Sequence, residues 1–208
     1  MARGRILITE RSKIGAVILA AGASTRFGKP KQLAKFRGET LLAHAVSAAT
    51  SAGCAPVVVV AGEHADDLKA ALTSEACEFV LNHEWREGIA ASIRTGLQHL
   101  VTTDHDLEAI LFLACDQPLV SADNLRELIR RQETSGKSIV ASAYAKTLGI
   151  PTLFARVRFP ELLTLNGDRG AKELIFAHRD DVAAFDLPAA ATDIDTAADY
   201  ERLCQLSS

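Results

Sequence analysis

The stretch "AVILAAGASTRFGKPKQL", residues 16–33, starts as an apolar run and finishes with three cationic side chains, Arg26, Lys29 and Lys31. Between the two halves, Gly22 and Gly28 permit positive φ and let backbone N–H groups approach a phosphate closely. Ser24 and Thr25 add hydroxyl donors, Arg26 a planar fork matched to phosphate oxygens, and Lys31 a compact charge on a flexible stem. Three uses fit such a loop: cradling a polyphosphate, turning around a dinucleotide, or covering surface. A dinucleotide turn wants G-x-G-x-x-G leading straight into a helix, with an acidic residue closing the second strand. Here Gly22 and Gly28 are too far apart, Pro30 interrupts, and the second apolar run ends "VVVAGEH". A Walker loop fails differently: one residue too many separates Gly22 from Gly28-Lys29, and Pro30 stands where a hydroxyl residue belongs.

Two further segments carry carboxylates. In "LFLACDQPLVS", Asp116 follows a strongly apolar run and precedes the turn set by Pro118. Beside a triphosphate loop such a carboxylate can hold Mg²⁺, a hard cation that takes oxygen ligands; alone, it can simply open a turn. In "ATDIDTAADYERL", Asp193 and Asp195 flank one residue, so an extended segment turns both to one face. Asp195 or Thr196 can instead cap the helix that follows. In "WREGIAASIRTGLQHL", Gly88 opens a helical pattern whose first turn is small, including Ser92. That either admits a flat ring and offers free N–H groups to a ligand, or serves close helix packing. The turn Gly167-Asp168-Arg169-Gly170 suits an anion or an ordinary hairpin equally.

The run "LAAGASTRFGKPKQL" resembles the L-A-[AG]-G-x-S-x-R-[MF]-G-x-x-K signature of the MobA-like nucleotidyltransferases, most of all the molybdenum cofactor cytidylyltransferases. The resemblance extends over about residues 14–203 and includes D-x-P at Asp116, D-I-D-T at Asp193–Thr196, G-x-x-x-S-I-R at Gly88–Arg94 and the G-D-x-G turn. It implies a three-layer α/β/α fold with a mostly parallel, Rossmann-like sheet of the nucleotide-diphospho-sugar transferase type. By the same resemblance Leu19, Ala20, Ala21, Gly22, Ser24, Gly28, Gly88 and Ser92 line the nucleotide, and Arg26 and Lys31 hold its phosphates. Asp116 and one or both of Asp193 and Asp195 then bind Mg²⁺, while Asp168 and Arg169 face the acceptor. Guanylyltransferase members usually carry Gly at the position of Ala21, which leans the nucleotide toward CTP over GTP. The expected activity is CTP:molybdopterin cytidylyl transfer with release of pyrophosphate, with transient contact to a molybdoenzyme. The alternatives are a GTP-using molybdopterin guanylyltransferase, a sugar or isoprenoid-precursor phosphate as acceptor, or a non-catalytic carrier of the cofactor. Three departures stand out: Ala197-Ala198 for Pro-Glu, Ile89-Ala90 for Met-Gly, and Lys172 for Arg.

An acceptor phosphate is already ionised at neutral pH, so this reaction needs no strong general base. Positioning and charge neutralisation by Mg²⁺, Arg26 and Lys31 would suffice, with Asp116 holding the metal.

The elements that must position these residues are legible as alternation. "AVILA", "PVVVVAG", "EFVLN", "AILFLAC" and "SIVASAY" are nearly continuous apolar runs, as strands covered on both faces require. Helical periodicity separates them; in "SADNLRELIRRQETSG" Ser121 can cap the start and Gly136 the end. This βαβ order predicts a doubly wound sheet, with ligands beyond the carboxyl ends of its strands. We expect one domain over residues 1–208, with an N-terminal extension at 1–13 and an acceptor-side insertion or lid at about 145–170.

Composition narrows the class. A chain of 208 residues, 48% hydrophobic, can bury one substantial core. Its net charge of −3 argues against a general nucleic-acid binder. Four scattered cysteines without a C-x-x-C pair read as reduced core thiols. No apolar run is long enough for a membrane span, and the apolar part of "MARGRILITERSK" is too short for a signal peptide. The expectation is a cytoplasmic protein without membrane or nucleic-acid partners.

Overall fold

The computed structural model describes residues 13–72, 76–168 and 170–205. The expected N-terminal extension therefore lies outside the described residues, except Lys13, which opens the first strand.

The strands are β1 (Lys13–Ala20), β2 (Lys35–Phe36), β3 (Glu39–Thr40), β4 (Val57–Ala61), β5 (Glu78–Leu81), β6 (Leu107–Ala114), β7 (Ile139–Tyr144), β8 (Thr147–Ala155) and β9 (Val182–Asp186). The helices are α1 (Leu41–Ser51), α2 (Ala65–Ala71), α3 (Ile89–Thr103), α4 (Ala122–Ser135), α5 (Phe159–Leu162), α6 (Ala171–Ala177) and α7 (Ala197–Gln205). The main sheet has seven strands in the order β5-β4-β1-β6-β8-β7-β9. All run one way except β8, which is antiparallel to both neighbours. The mostly parallel α/β sheet with helices on both faces is the fold read from the sequence.

Each central strand feeds two cores because side chains alternate across the pleat. From β1, Ala16, Ile18 and Ala20 join Leu42, Val46, Leu68, Leu125 and Leu128 under α1, α2 and α4. Val17 faces the opposite layer, with Ile93 and Leu97 of α3 and Leu174 and Ile175 of α6. Gly96 lets α3 approach: a Cβ there would lie 2.5 Å from Val17 Cγ1 and 2.9 Å from Val60 Cγ2. Phe112 of β6 meets Phe154 of β8 edge to face, ring centroids 6.0 Å apart, which adds about 1 kcal/mol to their burial.

Helix α4 begins and ends as its sequence predicts. Ser121 and Asn124 form a reciprocal capping box, and Gly136 closes the helix at φ 63°. At the edge of β7, Arg158 donates to Ser138 Oγ, Glu161 and Asp181, each at 2.7 Å, and so ties α5, the start of β9 and the start of β7 together.

The expected lid at about 145–170 needs correction. Its first part is β8, an interior strand between β6 and β7, and α5 follows. Gly149 and Pro151 disguise it, since both weaken a strand reading. Strand β9 also escaped the sequence analysis, being short and only partly covered.

Candidate active site

At the carboxyl end of β1 the chain enters the long loop, and its shape depends on one buried amide. Gln32 is 1% exposed, and its Nε2 donates to the carbonyls of Ala20 and Gly22, both at 2.9 Å. Its Oε1 accepts from Ser24 Oγ at 3.1 Å, and that same hydroxyl accepts from the Lys31 backbone N–H at 3.1 Å. Ser24 takes a left-handed φ of 53° and Gly28 one of 79°, and the N–H groups of Phe27 and Gly28 both return to the Ser24 carbonyl. Phe27 anchors the loop's outer limb edge-on against Tyr200 of α7, centroids 5.9 Å apart.

The loop delivers Lys31 to the end of β6. Its Nζ donates to Asp116 Oδ2 at 2.6 Å and to Asp195 Oδ1 at 2.9 Å. Arg26 pairs with the other oxygen of Asp195 at 2.9 Å. Asp195 arrives there because the Ile194 N–H donates to the Asp116 carbonyl at 3.0 Å, while Ile194 itself is buried. Thr196, not Asp195, caps α7: it exchanges hydrogen bonds with Asp199, which leaves the Asp195 carboxylate for the cluster. Asp193 is exposed and forms no ion pair with a described residue. Asp195 is thus joined to Asp116 through Lys31, whereas Asp193 stays a neighbour in the chain whose charge, like that of Asp116, reaches Tyr144.

The charges gathered here shift Lys31 and Asp195. Burial alone would lower the Lys31 ammonium, but Asp116 and then Asp195 outweigh it and raise its pKa. The Lys31 hydrogen bond, foremost, holds Asp195 below the usual carboxylate range, with Arg26 adding to it. A carboxylate depressed in the folded state contributes stability above its unfolded pKa of about 3.9, and that contribution is lost as pH falls through the folded pKa. Acid unfolding followed by circular dichroism is therefore expected to weaken Asp195→Asn less steeply than the parent below about pH 4. Parallel curves would mean that the cluster does not form in solution.

The remaining predicted residues line the same end of the sheet. Leu19, Ala20, Ala21 and Gly22 lead out of β1, with the Ala21 carbonyl so close to Gly62 that a Cβ there would come within 2.6 Å. Ser92 is buried, and its hydroxyl accepts from Asn82 Nδ2 at 3.0 Å, so it orients Asn82 at the end of β5. Gly88 has φ 111°, which a side-chain-bearing residue rarely adopts, and an added Cβ would strike Asp168 Oδ1 and the Gly167 backbone. The turn carrying Asp168 therefore sits directly on the start of α3. One of the N–H groups expected to be free there is taken, since Ala90 donates to the Gly167 carbonyl at 3.1 Å. Arg169 lies outside the described residues.

Four residues at this end were not singled out from the sequence: Gln32, Asn82, Tyr144 and Gln117. Burial, and behind it the charges of Asp193 and Asp116, raise the Tyr144 phenol, while the neighbouring Gln117 amide pulls the other way. Gln117 Nε2 donates to the carbonyls of Ile150 and Ala190, bracing the start of β8 against the segment before Asp193. The signal for Asn82, Tyr144 and Gln117 is a polar residue at the end of an apolar strand or next to a site carboxylate; Gln32 carries neither.

Cys54 and Cys115 are core thiols, and burial pushes Cys54 up to about 12 and raises Cys115 as well, whereas Cys77 and Cys204 are only partly buried. No described helix is long and apolar enough to cross a membrane. Among the described residues no group of three or more His, Cys, Asp or Glu side chains converges. The site's donor set is instead two carboxylates bridged by an ammonium, oxygen-only and already arranged around a positive charge. That chemistry fits Mg²⁺ or Mn²⁺.

Residues 16–182 match the family described as the MobA-like NTP transferase domain. The nicotine blue oxidoreductase of Paenarthrobacter nicotinovorans is 32% identical over 171 residues, 79% of this chain and 82% of that one. The crystal structure of Rv0371c from Mycobacterium tuberculosis superposes with a TM-score of 0.81 at 32% identity, covering 93% of this chain and 98% of that one. A manganese complex of Rv0371c gives 0.77 at 31% identity, covering 93% and 99%. A nucleotidyl transferase from Methanothermobacter gives 0.78 at 25% identity, covering 93% and 97%. On the family match and these likenesses, the chain belongs to the MobA-like NTP transferase family and is a nucleotidyltransferase.

Proposed function

We propose that this nucleotidyltransferase moves a cytidylyl group from CTP to the phosphate of a molybdopterin-type acceptor in the cytoplasm, releasing pyrophosphate. The observation that carries the reading is the Lys31 ammonium set between Asp116 and Asp195 at the mouth of a glycine-containing loop. In this reading Arg26 and Lys31 grip the triphosphate, and Gly22, Ser24 and Gly28 shape the loop around it. Asp116 and Asp195 hold Mg²⁺, which when bound offsets the charge developing on the phosphates. The exposed Asp193 is left as a neighbour of that pair. Gly88 and Ser92 border the nucleotide, and the turn of Asp168 and Arg169 faces the acceptor. Contact between that turn and Gly88 would set acceptor and nucleotide side by side, as in-line attack on the α-phosphorus requires. Ala21 supports CTP over GTP through the resemblance to cytidylyltransferases. Delivery of the product to a molybdoenzyme belongs to the same reading.

The Paenarthrobacter relative, named as an oxidoreductase, supports a second reading: hydride transfer on the same frame. Against it stand the spacing of Gly22 and Gly28 and the absence of an acidic end to β4, where the chain continues with Gly62. Calorimetric titration with Mg²⁺ present is expected to show CTP binding at least about tenfold tighter than GTP, a difference of about 1.4 kcal/mol. Transfer of labelled CMP to a panel of acceptors completes the test. Labelling of a sugar phosphate alone would overturn the acceptor, and NAD(P)H oxidation without nucleotidyl transfer would overturn the reading.

A further inference from the structure

We propose that Lys31 is the resident cation of the Asp116–Asp195 pair and makes metal binding conditional on arrival of a triphosphate. The ammonium bonds one oxygen of each carboxylate, at 2.6 and 2.9 Å, so it occupies the space between them that a divalent ion would need. Arg26 takes the second oxygen of Asp195. The four groups are formally neutral together: two positive, two negative. A divalent ion approaching this arrangement meets a compensated cluster and a sheltered positive charge, with Lys31 only 13% exposed.

The cations are built to leave. The Lys31 backbone is held by Ser24 Oγ, so only its four-carbon stem needs to swing. The Arg26 side chain is 71% exposed and meets little resistance. A triphosphate offers both cations more negative charge than the two carboxylates do. Their transfer to phosphate oxygens would free carboxylate oxygens for the metal. Metal and nucleotide then strengthen each other's binding by one common factor, as linkage demands. The triphosphate half of the proposal rests on the cytidylyl reading above; the resident-cation half does not.

The test separates the halves. Mn²⁺ alone is titrated into the full chain at pH 7.5, and free Mn²⁺ is followed by its electron paramagnetic resonance signal. Lys31→Met is expected to bind Mn²⁺ at least tenfold tighter than the parent. Arg26→Met, which also removes one positive charge but not the bridging one, is expected to gain threefold at most. Adding Asp116→Asn to Lys31→Met should abolish the gain and so locate it. Should Lys31→Met fail to fold by circular dichroism, Lys31→Gln replaces it with the same expectation. Equal Mn²⁺ affinity in parent and folded variant, or equal gains in the Lys31 and Arg26 variants, overturns the resident cation. Adding α,β-methylene CTP is then expected to tighten Mn²⁺ binding at least tenfold more in the parent than in Lys31→Met, after correction for Mn²⁺ bound by free analogue. A gain in Lys31→Met with no effect of the analogue on the parent would overturn the triphosphate release alone.

Discussion

Asp116→Ala is expected to lower Mg²⁺-dependent pyrophosphate release by about a thousandfold or more, with the far-ultraviolet circular dichroism unchanged. Asp116 lies two residues past Ala114, the last residue of β6, so its side chain leaves the sheet where the core ends, and deleting it opens no apolar cavity. What is lost is one of two carboxylates facing Lys31, the one supplied from just beyond the end of a central strand. Asp195 alone, on a segment held by a single backbone bond to that same residue, cannot fix a metal against a phosphate. Asp195→Ala should therefore be the milder variant. Undiminished turnover in Asp116→Ala would remove the catalytic assignment of the whole cluster.

Gln32→Leu is expected to destabilise the protein by about 3 kcal/mol and to weaken CTP binding at least tenfold. Leucine fills a similar volume but supplies none of the three hydrogen bonds that Gln32 makes to Ala20, Gly22 and Ser24. The buried Ala20 carbonyl loses its donor at about 1–3 kcal/mol, and the more exposed Gly22 carbonyl loses its own at less. For a domain of this size the thermal midpoint should fall by about 6–12 °C. Because the amide shapes the loop without meeting substrate in this reading, KM for CTP should rise more than kcat falls. A midpoint within about 1 °C of the parent would show that the loop holds its form without the amide.

The parallel half of the sheet was open to reading because β1, β4 and β6 are covered on both faces and therefore continuously apolar. The loop was open to a functional proposal for another reason: phosphate binding would need backbone freedom and cations at short range, and Gly22, Gly28, Arg26 and Lys31 are all local. What stayed hidden was non-local. Nothing in "KPKQL" marks Gln32 as buried, since its partners lie 10 to 12 residues back along the chain and are backbone carbonyls. The seating of Asp195 beside Asp116 depends on a hydrogen bond between Ile194 and Asp116, remote in sequence. Strand β8 carries a Gly and a Pro that local rules count against a strand, and its place between β6 and β7 compensates for both.

That reversed strand has an evolutionary corollary. Because β8 runs against its neighbours, its first residues reach the rim where β1 and β6 finish, and the Ala145–Lys146 bend joining it to β7 overhangs that rim. Insertions or deletions confined to the bend would lengthen or trim one wall of the crevice while the register of β1 against β6 stayed put. On the proposed reading, drift in acceptor choice would thereby be insulated from the loop assigned to the polyphosphate, and new specificities would be sampled without dismantling the old chemistry.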